Sequence, residues 1–386
     1  MTAVDYLGLA GSFLESHGAS HTAREIAQQP EAWRQTQTLL GAERARIERF
    51  LALLLANKDL RIILTGAGSS AYIGQCLAPT LLQHLGGRVE AIATTDLVAA
   101  PRTYLQHDVP TLLVSFARSG GSPESVAAVE IADQCLARCH HLVITCNREG
   151  ELYRRAQAKE SRLALALPDL THDQGFAMTS SFSSMYYAAL ATFCGIELYA
   201  GRVEAIARSA RSVVEQHNAA LRALSAKDPA RVVFLGSGAL AGVAAEAALK
   251  LLELSDGAVV TMANTPLGFR HGPKAIVNAA TLVVVFVSND SQTRKYELDL
   301  LAELRGDGVG AVLAVTAGTP TPARHDDSLQ LAAMSDAADA DLLLPFAVVA
   351  QLYAFHRSLG LGLRPDTPCA SGRVNRVVKG VTIHPL

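Results

Sequence analysis

Glu246, Lys250 and Glu253 stand at i, i+4 and i+7, a spacing that lines three ionisable groups along one stripe of a helix. Ionisable groups gathered on one face in this way are a candidate catalytic set. The same spacing suits a surface ion pair, of which Glu followed by Lys at i+4 is a common form. Against that stands the Ala- and Leu-rich helical pattern Ala241–Leu254 around them, which opens at a strand-end loop. Further on, the loop Thr265-Pro266-Leu267-Gly268-Phe269-Arg270-His271-Gly272-Pro273-Lys274 sets one imidazole between basic residues, with Gly and Pro shaping the backbone around it. His141 and His356 lack such a setting and read as structural.

Two loops carry more hydroxyls than a turn needs. Gly66-Ala67-Gly68-Ser69-Ser70 follows an apolar strand signal and opens a helix, where glycines admit an anion to backbone N–H groups and serines add donors. Alone it also fits a tight turn or a dinucleotide fingerprint, but the acid expected about 20 residues on is missing. Ala117-Arg118-Ser119-Gly120-Gly121-Ser122-Pro123-Glu124-Ser125 also joins a strand to a helix, with Pro123 suited to the first helical turn. Two such loops favour a phosphorylated small molecule over a dinucleotide, the guanidinium of Arg118 adding to the case.

These loops belong to a repeat. The run Arg61–Gly68 recurs as Arg231–Gly238, 170 positions on. Thr111–Phe116 and Thr281–Phe286 keep that offset, as do Leu142–Thr145 and Val312–Val315. Three apolar runs at one spacing predict two copies of one α/β domain, with buried parallel strands and helical crossovers such as Ser122–Cys139. Ligands are then expected beyond the carboxyl ends of the strands. In the second copy, Gly236-Ser237-Gly238-Ala239 has lost the hydroxyl pair and Ser288-Asn289-Asp290-Ser291 brings an acid that would repel phosphate. Thr22–Asn57 reads as helical, with Thr22 and Glu25 spaced as a capping box. The boundaries expected are a helical extension over 1–57, copies over 58–210 and 211–370, and a docked tail over 371–386.

Composition narrows the partners. The 386 residues are 49% hydrophobic and 18% charged, with 34 basic against 36 acidic side chains and a net charge of −2. This excludes a disordered chain and leaves no electrostatic footprint for nucleic acid or an anionic membrane. The N-terminus lacks a signal-peptide pattern, and Leu342–Phe355 is short for a bilayer, so a cytoplasmic, reduced protein is expected. Cys135, Cys139, His140 and His141 admit a metal site, but read better as a helix end with two buried thiols. No metal or cofactor is expected.

At 66–70 and 118–125 the chain resembles the sugar isomerase (SIS) domain, and the tandem arrangement is similar to the isomerase half of glucosamine-6-phosphate synthase. Within that family it looks like the AgaS group of galactosamine-6-phosphate deaminase/isomerases or tagatose-6-phosphate ketose/aldose isomerases. Leu60–Ser70, Ser119–Glu130, Thr171–Ser180, Gly268–Pro273 and Asn375–Pro385 carry the likeness. The resemblance implies two parallel-sheet αβα sandwiches of flavodoxin-like kind. It implies Gly68, Ser69, Ser70, Ser119 and Ser122 at the phosphate, Arg118, where the synthase has Gln, either adding charge to phosphate binding or pointing away, and Phe176, Met178 and Val378 at the sugar. Glu253 matches the carboxylate that moves a proton between C1 and C2, and Lys250 the lysine one turn before it. His271 matches the ring-opening histidine, given by a neighbouring subunit in the synthase, and Lys379 the C-terminal active-site lysine. A phosphorylated amino sugar would be the substrate and a homodimer, or a higher oligomer, the active unit. Isomerisation of a neutral sugar phosphate, or binding without catalysis, are the other readings.

Overall fold

Short β-branched runs, apolar on both faces, can bury their backbone only by pairing inside a sheet covered on each side. In the computed structural model, which describes residues 4–157, 159, 161–317, 328–331, 333–378 and 380–386, they form two parallel five-stranded sheets. The first holds Arg61–Thr65 (β1), Arg88–Ala91 (β2), Thr111–Ala117 (β3), Cys139–Thr145 (β4) and Arg162–Ala166 (β5), in the order β2-β1-β3-β4-β5. The second holds Arg231–Leu235 (β6), Val260–Asn264 (β7), Thr281–Phe286 (β8), Ala311–Thr316 (β9) and Ser328–Gln330 (β10), in the order β10-β9-β8-β6-β7. Register repeats with the sequence: Arg61 pairs with Thr111 and, 170 residues on, Arg231 pairs with Thr281. Strand order reverses at β1/β3 and again at β6/β8, and crevices for ligands open at such points.

The chain divides into two compact units. The first-sheet unit comprises residues 31–173, 180–203 and 374–386; the second-sheet unit comprises 1–30, 174–179 and 204–373. In the first-sheet unit, helix Ser180–Cys194 is buried nearly end to end. Trp33, on helix Gln29–Leu55, donates its indole N–H to Ser183 Oγ at 3.0 Å. Asp173 caps helix Ser180–Cys194, accepting from the Ser181 N–H at 2.8 Å and its hydroxyl at 2.5 Å. The apolar tail docks as expected, with Ile383 packed against the sheet core.

In the second-sheet unit, helix Asp339–Gly360 packs on helix Ala239–Leu254. By length and composition it could cross a membrane, yet 94% of its apolar window is buried inside the protein. Two of its polar side chains are paired across to other elements: Gln351 accepts from Gln29 Nε2 at 2.7 Å, and His356 Nε2 lies 2.6 Å from Asn218 Oδ1.

Three local expectations need correction. Thr22–Asn57 is two helices, Ser20–Ala27 and Gln29–Leu55, not one. No capping box forms, because Asp366 takes the Thr22 N–H at 2.7 Å and Glu25 instead receives the N–H groups of Gln174 and Gly175. The helix placed over Ser122–Cys139 ends at Cys135, and Cys139 begins β4; both thiols are half-buried, not buried.

Candidate functional site

In the first-sheet unit, both hydroxyl-rich loops leave the carboxyl ends of the neighbouring strands β1 and β3, flanking the point where strand order reverses. Ser69 and Ser70 start helix Ser69–Leu85 and are each 4% exposed, with Gly68 at the cap position. The turn is tight: a Cβ on Gly66 would lie 2.5 Å from the Ser70 carbonyl carbon, so only glycine fits. After β3, Ser122 caps helix Pro123–Cys135, and its hydroxyl bonds to that of Ser125 at 2.7 Å. Gly121 N–H reaches Ser119 Oγ at 3.5 Å, and Asn147 Nδ2 holds the Ser119 carbonyl at 2.9 Å. Gly150 lets this crossing happen, since a Cβ there would lie 2.6 Å from Ser119 O. The loop thus presents side-chain hydroxyls and a helix N-terminus on a braced backbone, the donor set that suits a phosphate dianion.

The second copy uses the same topological position differently. Ser288 N–H donates to Glu297 Oε2 at 2.7 Å, Ser288 Oγ to Asp339 Oδ2 at 2.6 Å, and Asn289 N–H to Asp339 Oδ1 at 2.9 Å. Burial pushes the Glu297 carboxyl up to about 7, against the Ser288 N–H and the Ser237 hydroxyl and helped by Asp339. Asp290, the acid that the sequence marked, caps helix Ser291–Asp307 through the Thr293 N–H at 2.8 Å. The donors at this switch point are spent on the chain's own carboxylates. Glu297 and Asp339 were missed in the sequence because each is distant from the loop it fills.

The ionisable stripe lies on helix Ala239–Leu254, which starts at the loop after β6. Its spacing also fits a surface pair, but Glu246 is 2% exposed and Lys250 1%. Lys250 Nζ sits 2.5 Å from Glu253 Oε2 and 3.4 Å from Glu246 Oε1, so one ammonium lies between two carboxylates. Glu253 alone keeps an open edge, 24% exposed. A buried charge trio with a single accessible carboxylate is an arrangement for proton transfer more than for stability, since buried ion pairs return little net folding energy.

His271 is exposed. Thr265 caps the short helix Pro266–Phe269 through the Gly268 N–H, and the flanking cations are tied down: Arg270 to Glu303 at 2.8 Å and Lys274 to Asp307 at 2.7 Å. Among the described residues no hydrogen bond joins its imidazole to Lys250 or Glu253. The loop presents the ring outward from the second-sheet unit.

Two successive domains of one family match the chain, at residues 54–194 and 225–358, each described as a SIS domain. The chain belongs to the SIS-domain family. Among its SIS relatives, an AgaS protein of Streptomyces coelicolor is 51% identical over 97% of this chain and 98% of its own. The D-galactosamine-6-phosphate deaminase AgaS of Escherichia coli is 45% identical over 94% of this chain and 95% of its own. A crystal structure of tagatose-6-phosphate ketose/aldose isomerase from Escherichia coli superposes with a TM-score of 0.86 at 42% identity, over 95% of this chain and 97% of that one.

Of the remaining SIS-derived expectations, Lys379 lies outside the described residues. Val378 is 53% exposed on the tail. Phe176 is half-buried and Met178 is buried, in the segment that Glu25 and Asp366 hold: Phe176 N–H reaches the Asp366 carbonyl at 3.2 Å. Arg118 is buried and donates to the Arg376 carbonyl of the tail. One group among the described residues has metal-ligand spacing, Asp133, Cys139 and His141. Its chemistry fits poorly. Asp133 already accepts from His141 at 2.7 Å and pairs with Arg162, while burial and Asp133 push the Cys139 thiol up to about 12, far from the thiolate a metal needs.

Proposed function

We propose that this chain converts D-galactosamine 6-phosphate to tagatose 6-phosphate and ammonia. The observation that carries the reading is the buried Glu246–Lys250–Glu253 trio with one accessible carboxylate. Its support is the likeness over nearly the whole chain to proteins named for that deamination. The loops at 66–70 and 119–122 hold the 6-phosphate through Ser70, Ser119 and Ser122, with Gly68 and Ser69 shaping the first loop. His271 and Lys379 open the ring, donating at O5 and accepting at O1. Glu253 then takes the C2 proton and returns one to C1, converting the open-chain amine to a 2-imine. Water adds to that imine, and ammonia leaves with the ketose 6-phosphate. Lys250 holds Glu253 in place; Phe176, Met178 and Val378 contact the sugar.

The active unit is a homodimer that shares His271. Leu252 and Leu267, next to Glu253 and in the His271 loop, are 42% and 44% exposed, apolar surface that a partner would cover.

Incubation with D-galactosamine 6-phosphate should release ammonia and tagatose 6-phosphate in equal amounts, and D-glucosamine 6-phosphate should be poor. The likeness to the Escherichia coli tagatose-6-phosphate ketose/aldose isomerase favours a second reading, ketose/aldose isomerisation. Interconversion of tagatose 6-phosphate with its aldose, with no ammonia from either amino sugar, would establish it instead.

A further inference from the structure

Arg118 follows β3 and precedes Ser119, where a guanidinium would ordinarily be assigned to the phosphate. Its geometry says otherwise. The side chain is 7% exposed and donates to the backbone carbonyl of Arg376 at 2.6 Å. Arg376 in turn donates to the Asp173 carbonyl, next to the carboxylate that caps helix Ser180–Cys194. His172 lies beside both guanidiniums: burial first, then Arg376 and Arg118, hold its imidazole below the usual value. Seven residues along the tail, Ile383 packs on the sheet core. Most of the remaining described tail is exposed, including Val378 and Val381. The tail is therefore held by an apolar contact and by a polar one, and the polar one springs from the loop that carries Ser119 and Ser122.

We propose that Arg118 is a positioning residue that fastens the C-terminal tail to this loop, and is not a phosphate ligand. A guanidinium committed to a backbone carbonyl in a buried setting is costly to redirect, because its release leaves a buried charge short of a partner. The role explains why the chain carries Arg where the synthase loop has Gln: the longer fork spans to the tail backbone. The catalytic use of the tail rests on the deaminase reading; its docking does not.

Trypsin tests the joint directly, because cleavage after Arg376 requires that side chain to leave Asp173. Arg118→Met keeps the buried stem and removes the donors. Cleavage after Arg376 should quicken roughly 10- to 100-fold, the value of one hydrogen bond to a charged group. Affinity for inorganic phosphate, read by thermal-shift titration, should stay within about twofold. With D-galactosamine 6-phosphate, kcat should fall while KM holds. If Arg118→Met does not fold, Arg118→Lys, which keeps charge and stem without the reach, should give the same cleavage and phosphate results. Unchanged cleavage overturns the proposal, and a weakened phosphate affinity with the tail still protected assigns Arg118 to the anion. Should no sugar phosphate turn over, the deaminase reading fails while cleavage still decides the joint.

Discussion

Burial sets Glu246 and Lys250 apart from the exposed surface pair that their spacing also allows. A solvent-exposed pair would contribute roughly 0–1 kcal/mol and tolerate replacement. Here Lys250 is fully enclosed, and Glu253, at the end of the stripe, is the member a substrate can touch. Replacing Glu253 by Gln keeps shape and a hydrogen-bonding oxygen for Lys250 but removes the base. Deamination should fall about 10²- to 10⁴-fold, the usual worth of a positioned general base. Phosphate affinity should be unchanged, because the hydroxyl loops lie in the first-sheet unit and Glu253 in the second-sheet unit. Single-turnover ammonia release beside a phosphate titration makes the comparison; near-native turnover would remove Glu253 from the mechanism.

Elements, not single residues, separate the two copies. The loops after β3 and β8 occupy equivalent places, one ringed by hydroxyls and the other filled by Glu297 and Asp339. Ser119→Ala and Ser122→Ala should each raise KM roughly 10- to 100-fold, since a hydrogen bond to a charged group is worth about 1.5–3 kcal/mol. Ser288→Ala should leave KM alone and lower the melting temperature instead, because it strips a partner from half-buried Asp339; a KM rise there would put the anion in the wrong copy. Helix Asp339–Gly360 carries its own pH dependence. Asn218 donates its amide to the Leu7 carbonyl, so its oxygen faces His356 and the imidazole Nε2–H is the donor. Burial, then Arg222, pushes His356 down to about 4. Below an ordinary histidine value of about 6.5 the unfolded chain gains a proton that the folded one refuses. Stability is thus lost as pH falls from about 6.5 to 4, by about 3 kcal/mol. His356→Gln, which keeps a donor for Asn218, should lose correspondingly less between pH 7 and 4.5 in urea unfolding, and an equal loss would refute the assignment. The strands and their 170-residue register were legible because buried parallel strands are continuous apolar runs. The hydroxyl loops were legible because donors cluster within a few residues. What escaped were partners far apart in sequence: Glu25 with Gln174 and Gly175, Asp339 with Ser288, and Arg118 with Arg376. No local spacing encodes those; only the closed fold brings them together.

At the scale of the whole molecule, duplication supplies two switch points: the second is filled by the chain's own carboxylates, while the first keeps the hydroxyl loops that the proposed function assigns to an anion from outside. That reading gives the proton chemistry to the second copy's helix and to His271. His271 is exposed, with its neighbours Arg270 and Lys274 pinned to helix Ser291–Asp307, and on the proposed function it serves the Glu253 of another chain. Mixing two inactive proteins tests this. In a heterodimer of His271→Ala and Glu253→Gln chains, one site combines a wild-type His271 with a wild-type Glu253, and the other lacks both. Random exchange makes about half the dimers mixed, each with one working site, so activity should return to about a quarter of wild type if sites act independently. Two affinity tags establish that exchange has occurred. Mixed dimers isolated through both tags and still inactive would mean that His271 serves its own chain or no site at all, whereas recovered activity can arise only if a site draws on two chains.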